Sequence, residues 1–169
     1  MRTLSDLFRN FMQIGYVTED LDAAIAYFES TLGTVRCRTT YKSSVSGVVV
    51  DGDTAEEWVI DVALVNAGAT NLEIISPVSG SVDLYRPAIR PGAPATFHHL
   101  GFRIPDFDEA SAIVAANGKT WKQYGRLEGA LRFGYVDMTE ELGHYVEVME
   151  LEPAFARYLA SLEAASNAT

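Results

Sequence analysis

One cysteine, Cys37, is all that the 169 residues contain. A single thiol permits no internal disulfide, and it excludes thiolate-rich zinc sites, iron–sulfur clusters and CxxC redox chemistry. Positive charge is also scarce: 13 Lys and Arg stand against 23 Asp and Glu, a net charge of −10. That balance argues against nucleic acid and anionic membranes as partners, because both reward clustered cations. No stretch approaches the roughly 20 apolar residues of a membrane span. The N-terminal MRTLSDLFRN carries Asp6 and no apolar run, unlike a signal peptide. The expectation is a soluble cytoplasmic protein. Hydrophobic residues make up 48% of the chain and aromatics 11%, which is a globular composition and not a disordered one. A chain of this mass buries roughly 70% of its unfolded surface, enough for a core without staples.

Proline is sparse except in one place. Four of six prolines (Pro77, Pro87, Pro91, Pro94) fall between residues 77 and 94, with Gly80 and Gly92. This density breaks helix and strand alike, so residues 77–95 read as a linker between two halves. The halves resemble each other. FMQIGYVTEDLDAAIAYFESTLG (11–33) sets beside FHHLGFRIPDFDEASAIVAANG (97–118), and an offset of 86 pairs Gly15 with Gly101, Asp20 with Asp106, Asp22 with Asp108, Ala24 with Ala110 and Ala26 with Ala112. Each segment reads as a short strand, an acidic N-cap and a helix. Leu21, Ile25, Phe28 and Leu32 form one helical stripe, and Phe107, Ala110 and Val114 the other; Gly33 and Gly118 are the expected terminators. Strand-like runs follow: SGVVVD, WVIDVALV and NLEIISP, then KTWKQY, LRFGYVDM and HYVEVMEL. Turns are expected at DGD (51–53) and NAGATN (66–71). The fold class is therefore α+β, with two tandem βαβββ modules (11–76 and 96–151) in a single domain and a closing helix over 153–165 that begins at Pro153.

Alternation along a strand makes four polar residues conspicuous. Gln13 shares a face with Gly15 and Val17, and His99 with Gly101. Glu73 lies between Leu72 and Ile74, Glu147 between Val146 and Val148. Taken singly, Gln13, Glu73 and Glu147 have an ordinary reading as solvent-facing strand residues, and His99 as a hydrogen-bonded core histidine. Taken together, they occupy the first and last strands of each half. Two-fold pseudosymmetry would bring them to one place, where two carboxylates repel unless a cation lies between them. One imidazole nitrogen, one amide oxygen and two carboxylates suit a six-coordinate Zn, Ni, Co, Mn, Fe or Mg ion. His98, one residue out of phase, is expected on the opposite face with a structural role.

The segments QIGYVTEDLDAAIAYFESTLG, NLEII, HHLGFRIPDFDEA and HYVEVMEL resemble the vicinal oxygen chelate superfamily, the glyoxalase and bleomycin-resistance-like proteins. The resemblance spans residues 11–151. It implies an open, cupped barrel around one divalent metal, with Gln13, Glu73, His99 and Glu147 as ligands. The HHLGF segment is most similar to methylmalonyl-CoA epimerase relatives, whereas the Gln/Glu/His/Glu set is similar to glyoxalase I.

That resemblance implies an enzyme: a metal-dependent isomerase or epimerase moving a proton adjacent to a carbonyl or thioester through a metal-stabilised enolate. Glu147 and Glu73 are the candidate proton carriers. The alternatives are a glyoxalase-I-type lyase acting on a thiol hemithioacetal and a non-catalytic, resistance-type binding protein. Gln13 in place of a histidine disfavours a two-His-one-carboxylate dioxygenase. Arg86, Arg90, Arg126 and Arg132 are available to a thiol cofactor at the cleft rim. Tyr16, Trp58, Tyr85, Trp121, Tyr135 and Tyr145 are candidate pocket aromatics, with core packing as their ordinary reading. An open barrel leaves edges and apolar faces uncovered, so a homodimer is expected, with Phe155, Tyr158, Leu159 and Leu162 of the last helix covering that surface or docking on a partner.

Overall fold

The computed structural model describes residues 2–32, 38–55, 57–67 and 69–167, with the side chains of 38–42, 44, 166 and 167 outside the description. Cys37 and the expected terminator Gly33 lie outside the described residues. In chain order the elements are β1 (Phe11–Val17), α1 (Leu21–Leu32), β2 (Arg38–Ser44), β3 (Ser46–Val50), β4 (Asp53–Thr54), β5 (Trp58–Ala67) and β6 (Thr70–Gly80). There follow β7 (Thr96–Ile104), α2 (Phe107–Ala116), β8 (Trp121–Leu127), β9 (Leu131–Met138), α3 (Thr139–Leu142), β10 (His144–Leu151) and α4 (Pro153–Asn167). No helix among the described residues is long and apolar enough to cross a membrane.

All ten strands form one sheet, ordered β2-β5-β6-β1-β7-β10-β9-β8-β3-β4. The two βαβββ units lie back to back. β1 pairs parallel with β6, β7 pairs parallel with β10, and β1 and β7 run antiparallel at the centre. β2 begins this order and β3 lies one strand from its other end, yet the two are separated in the chain by Val45 alone. The sheet therefore curls into a cup whose two ends are drawn together at that residue.

Alternation then sorts side chains to the two faces. Val62, Leu64 and Ile75 enter the interior cluster with Trp58, Phe133 and Tyr135, whereas Ala63, Val65, Leu72 and Ile74 pack on Ala24, Ile25 and Phe28 of α1 outside. β5 is covered on both faces, which is why WVIDVALV reads as a nearly unbroken apolar run. On the second half, Phe102, Val146 and Val148 face outward onto Phe107, Ala110, Ile113 and Val114 of α2. Full burial of Ile25 or Phe28 contributes about 1.5–3 kcal/mol each.

The helix ends follow their caps. Asp20 accepts from the Ala23 N–H at 2.9 Å and Asp106 from the Glu109 N–H at 2.8 Å. Gly118 takes a positive φ of 71° beyond α2. Leu32, expected in the buried stripe of α1, is 44% exposed, and Ala24 takes a place in that stripe instead.

Two expectations are corrected. SGVVVD is not the strand that follows α1 within the first module. That place belongs to β2, whose RTTYKSS is too polar to read as a strand but suits a sheet edge, while β3 crosses to pair with β8 of the other half. β6 also runs through Pro77 to Gly80, four residues into the stretch read as a linker. Pro77 is tolerated there beside a register shift at Val59 and Ile60.

Candidate metal centre

Register places the four polar residues in two adjacent rows across the middle of the sheet, Glu73 with His99 and Gln13 with Glu147. Gln13 lies opposite Gly101, and Gly15 opposite His99. Glu73 stands beside Gly15 on β6, and Glu147 beside Gly101 on β10. Each half thus supplies two residues to the centre, and its central strand, β1 or β7, adds one glycine that clears room for the facing strand's residue. A Cβ on Gly15 would fall 1.8 Å from His99 Cε1, and one on Gly101 would fall 3.0 Å from Gln13 Cβ. The repeat identity of Gly15 and Gly101 has this physical meaning.

All four side chains point to the interior, as alternation predicts. Gln13, His99 and Glu147 are buried, while Glu73 keeps slight exposure. One ligand atom each from Glu73, His99 and Glu147 lie within 4.8 Å of one another, a group able to hold a metal ion. His99 Nε2 is 3.2 Å from Glu147 Oε2 and 3.4 Å from Glu73 Oε2. These contacts miss hydrogen-bond directionality, so His99 Nε2, Glu147 Oε2 and Gln13 Oε1 are buried without a hydrogen-bond partner. Orphaned atoms of this kind cost about 1–3 kcal/mol each unless something satisfies them. Neighbouring ligands on a six-coordinate ion with bonds of about 2.1 Å stand about 3.0 Å apart, close to the spacings found here. The donor set therefore fits a divalent cation.

Electrostatics agree. Burial alone would push the His99 imidazole toward neutrality, but its contacts with Glu147 and Glu73 outweigh burial and raise its pKa to about 9. Burial raises the Glu147 carboxyl above the usual carboxylate range, opposed by His99 and reinforced by Glu73. The cluster favours positive charge between its carboxylates.

The sequence reading of His98 needs correction. Between Gly15 and Tyr16 the partner strand advances from His99 to Phe97, so His98 is the extra residue of a β-bulge. The bulge breaks alternation: His98 is buried, and its Nδ1 lies 3.0 Å from His99 Nδ1. Burial, then the neighbouring His99, lowers the His98 pKa to about 3. Asn71 is a further residue of the candidate site that sequence reasoning missed. It accepts a hydrogen bond from Gln13 Nε2 at 2.8 Å, which leaves Gln13 Oε1 free, and it donates to Asn66 Oδ1 at 2.9 Å. Its signal was present, since Asn71 lies two residues before Glu73 on the same strand face.

Gln13, Glu73 and Glu147 border a cavity of about 40 Å³ whose other walls include Trp58, Ile60, Leu64, Phe133 and Tyr135. Phe155 and Leu159 of α4 contribute to its wall, so the closing helix covers the interior of its own chain. Of the six candidate aromatics, only Trp58 and Tyr135 reach this cavity. Tyr85 and Tyr145 pack against His98, Tyr16 packs on Phe28, and Trp121 stacks on Phe107. None of the four candidate arginines borders it. Arg86 pairs with Asp83, Arg126 with Glu128 and Glu152, and Arg132 with Asp108 and Glu150.

Residues 12–135 match the sequence pattern of the Glyoxalase/Bleomycin resistance protein/Dioxygenase superfamily. The chain belongs to this superfamily. No curated protein sequence matches it at a significant level. Solved structures sharing the superfamily fold include methylmalonyl-CoA epimerase from Mycobacterium tuberculosis, 17% identical with a TM-score of 0.57 over 88% of this chain and 91% of that one. A hypothetical protein from Bacillus halodurans C-125 is 12% identical with a TM-score of 0.58, over 85% and 94% of the two chains. An epimerase variant from Streptomyces coelicolor, in complex with 2-nitronate-propionyl-CoA, is 18% identical with a TM-score of 0.53, over 83% and 96%. At these identities the likeness is one of superfamily fold.

Proposed function

We propose that the chain is a divalent-metal-dependent isomerase or epimerase that moves a proton on the carbon next to a carbonyl or thioester. The observation that carries this reading is the buried carboxylate of Glu147, its Oε2 unpartnered, bordering the same apolar cavity as Glu73 and Gln13. Gln13, Glu73, His99 and Glu147 would hold the ion. When bound, it would polarise the substrate oxygen and offset the charge of the enolate.

The chain's own residues do the rest. Burial keeps the Glu147 carboxylate more basic than a solvated one, which favours proton removal at the activated carbon. A carboxylate that works as base must leave the ion, and the slight exposure of Glu73 makes it the second candidate. The largely apolar walls suit an apolar acyl group. Among the described residues no lysine or arginine borders the cavity. The superfamily fold shared with methylmalonyl-CoA epimerases supports an acyl thioester as the substrate class.

The test is deuterium exchange. Candidate thioesters and ketones are incubated in D₂O with zinc-, cobalt- or nickel-loaded protein, and label at the α-carbon is read by mass spectrometry. Glu147→Gln should lose exchange by about 10²–10⁴-fold while remaining folded, and His99→Ala should lose metal and exchange together. Wild-type exchange in both variants would refute the site. A lyase would instead convert a hemithioacetal, and a sequestering protein would bind ligand without exchange.

A further inference from the structure

The imidazole of His99 can present Nε2 to a cation only if its proton sits on Nδ1. Nothing in the sequence sets that choice, but the structure does. His98 Nε2 lies 3.1 Å from the Leu84 carbonyl oxygen. A carbonyl only accepts, so His98 Nε2 carries the proton and donates it. Among the described residues the groups against His98 are the Leu84 carbonyl, His99 and the rings of Tyr85, Tyr135 and Tyr145. The His98 ring is 2% exposed and packed between Tyr85 and Tyr145, with ring centroids 5.1 and 5.0 Å away, so it is held as the neutral ring. A neutral ring with its proton on Nε2 has a bare lone pair on Nδ1. That lone pair faces His99 Nδ1 at 3.0 Å. His99 must then donate from Nδ1, and its own lone pair is left on Nε2, toward Glu73 and Glu147.

We propose that His98 is a positioning residue that fixes the metal-ligating tautomer of His99, through a relay running from His99 Nδ1–H to His98 Nδ1 and from His98 Nε2–H to the Leu84 carbonyl. The inference rests on the metal-centre reading above. The bulge in β7 is what brings His98 Nδ1 to His99 Nδ1, and β1 carries the equivalent bulge at Met12. The relay is anchored in the segment joining the two halves, since Leu84 lies between β6 and β7.

The chain has only three histidines, so the tautomers are readable by long-range ¹⁵N–¹H correlation on zinc-loaded protein. The expected spectrum shows His98 protonated on Nε2 alone, and His99 protonated on Nδ1 with Nε2 shifted by zinc. His98 protonated on Nδ1, or zinc on His99 Nδ1, would overturn the proposal whether or not any variant folds. Zinc affinity by chelator competition provides the second measurement. His98→Phe keeps a ring between Tyr85 and Tyr145 but removes both nitrogens, and affinity should fall by about 10–100-fold. His98→Gln should restore most of that loss, because its amide can accept from His99 and donate to Leu84. A folded His98→Phe with wild-type affinity, or a His98→Gln that falls as far as His98→Phe, would overturn the relay while leaving the metal centre standing. Wild-type protein that binds no zinc would overturn the metal reading and the relay with it.

Discussion

Replacing Gly15 by alanine puts a methyl group inside the His99 ring. The added Cβ would lie 1.8 Å from Cε1 and 2.2 Å from both ring nitrogens. The φ of Gly15 is not positive, so the backbone itself accepts alanine. Were the space open, the swap would stabilise the protein by about 0.4–1 kcal/mol, because alanine restricts the unfolded chain. The clash decides the sign. His99 is fully buried and held at both ends, by His98 on one side and the two glutamates on the other, so the ring has nowhere to retreat. Overpacking of this kind costs about 1–3 kcal/mol, which in a domain this size lowers the melting midpoint by about 2–12 °C. Calorimetry and urea titration give that number, and zinc competition should show weakened binding as the ring is displaced. The decisive step is a double-mutant cycle with His99→Ala. With the imidazole gone, Gly15→Ala should become neutral or stabilising. An equal penalty in both backgrounds would show that Gly15 does not make room for His99 and would refute the reasoning.

Metal affinity should depend on pH. The His99 pKa is raised to about 9, so below that value an ion must displace a proton from Nε2. Zinc affinity should therefore rise by about a hundredfold between about pH 6 and 8, and titration calorimetry in buffers of different ionisation enthalpy should count about one released proton; a flat profile would remove His99 from the ligand set. Asn71→Leu deprives the Gln13 amide of its acceptor, and we expect a stability loss of about 1–3 kcal/mol with zinc affinity down by about 10–100-fold, read by urea titration and chelator competition. Phe11, Phe97 and Tyr158 remain exposed at 47%, 41% and 37%, and we expect a homodimer by light scattering at micromolar concentration. A monomer would leave those side chains as ordinary surface.

The candidate site was legible where alternation holds and obscure where register decides. On β6 and β10 the neighbours of Glu73 and Glu147 pack outward onto helices, so period two assigns the polar residue to the interior without knowledge of the partner strand; on β1 Ile14 does the same, while Met12 sits on a bulge and packs on the interior cluster beside Gln13. The glycines were visible as repeat identities, but their purpose was not. That Gly15 faces His99 and Gly101 faces Gln13 is a fact of antiparallel register between β1 and β7, 86 residues apart, and no local pattern carries it. The same limit hid Asn71, whose role appears only once Gln13 is set beside it.

β2 was passed over and His98 misread for a common reason: a local pattern does not suffice where tertiary structure overrides it. RTTYKSS has the polarity of a loop, and it forms a strand because β5 offers a partner along its whole length from Arg38 to Ser44. His98 sits in TFHHLGFRI, where strict alternation sends it away from His99, and one bulge reverses that assignment. The bulge itself obeys the symmetry of the repeat, since β1 carries one at Met12, between Phe11 and Gln13; only the residue placed on it differs. At the offset of 86 the counterpart of His98 is Met12, and the counterpart of His99 is Gln13. An amide ligand has a fixed donor end and acceptor end, so one acceptor on its nitrogen, Asn71, is enough to aim its oxygen. An imidazole can carry its proton on either nitrogen and needs a partner that accepts without donating at the contact, which a neutral histidine supplies when its one N–H donates to a carbonyl. The two halves thus meet one requirement with different chemistry, and the departure from symmetry at His98 follows from the choice of histidine over glutamine at the next position.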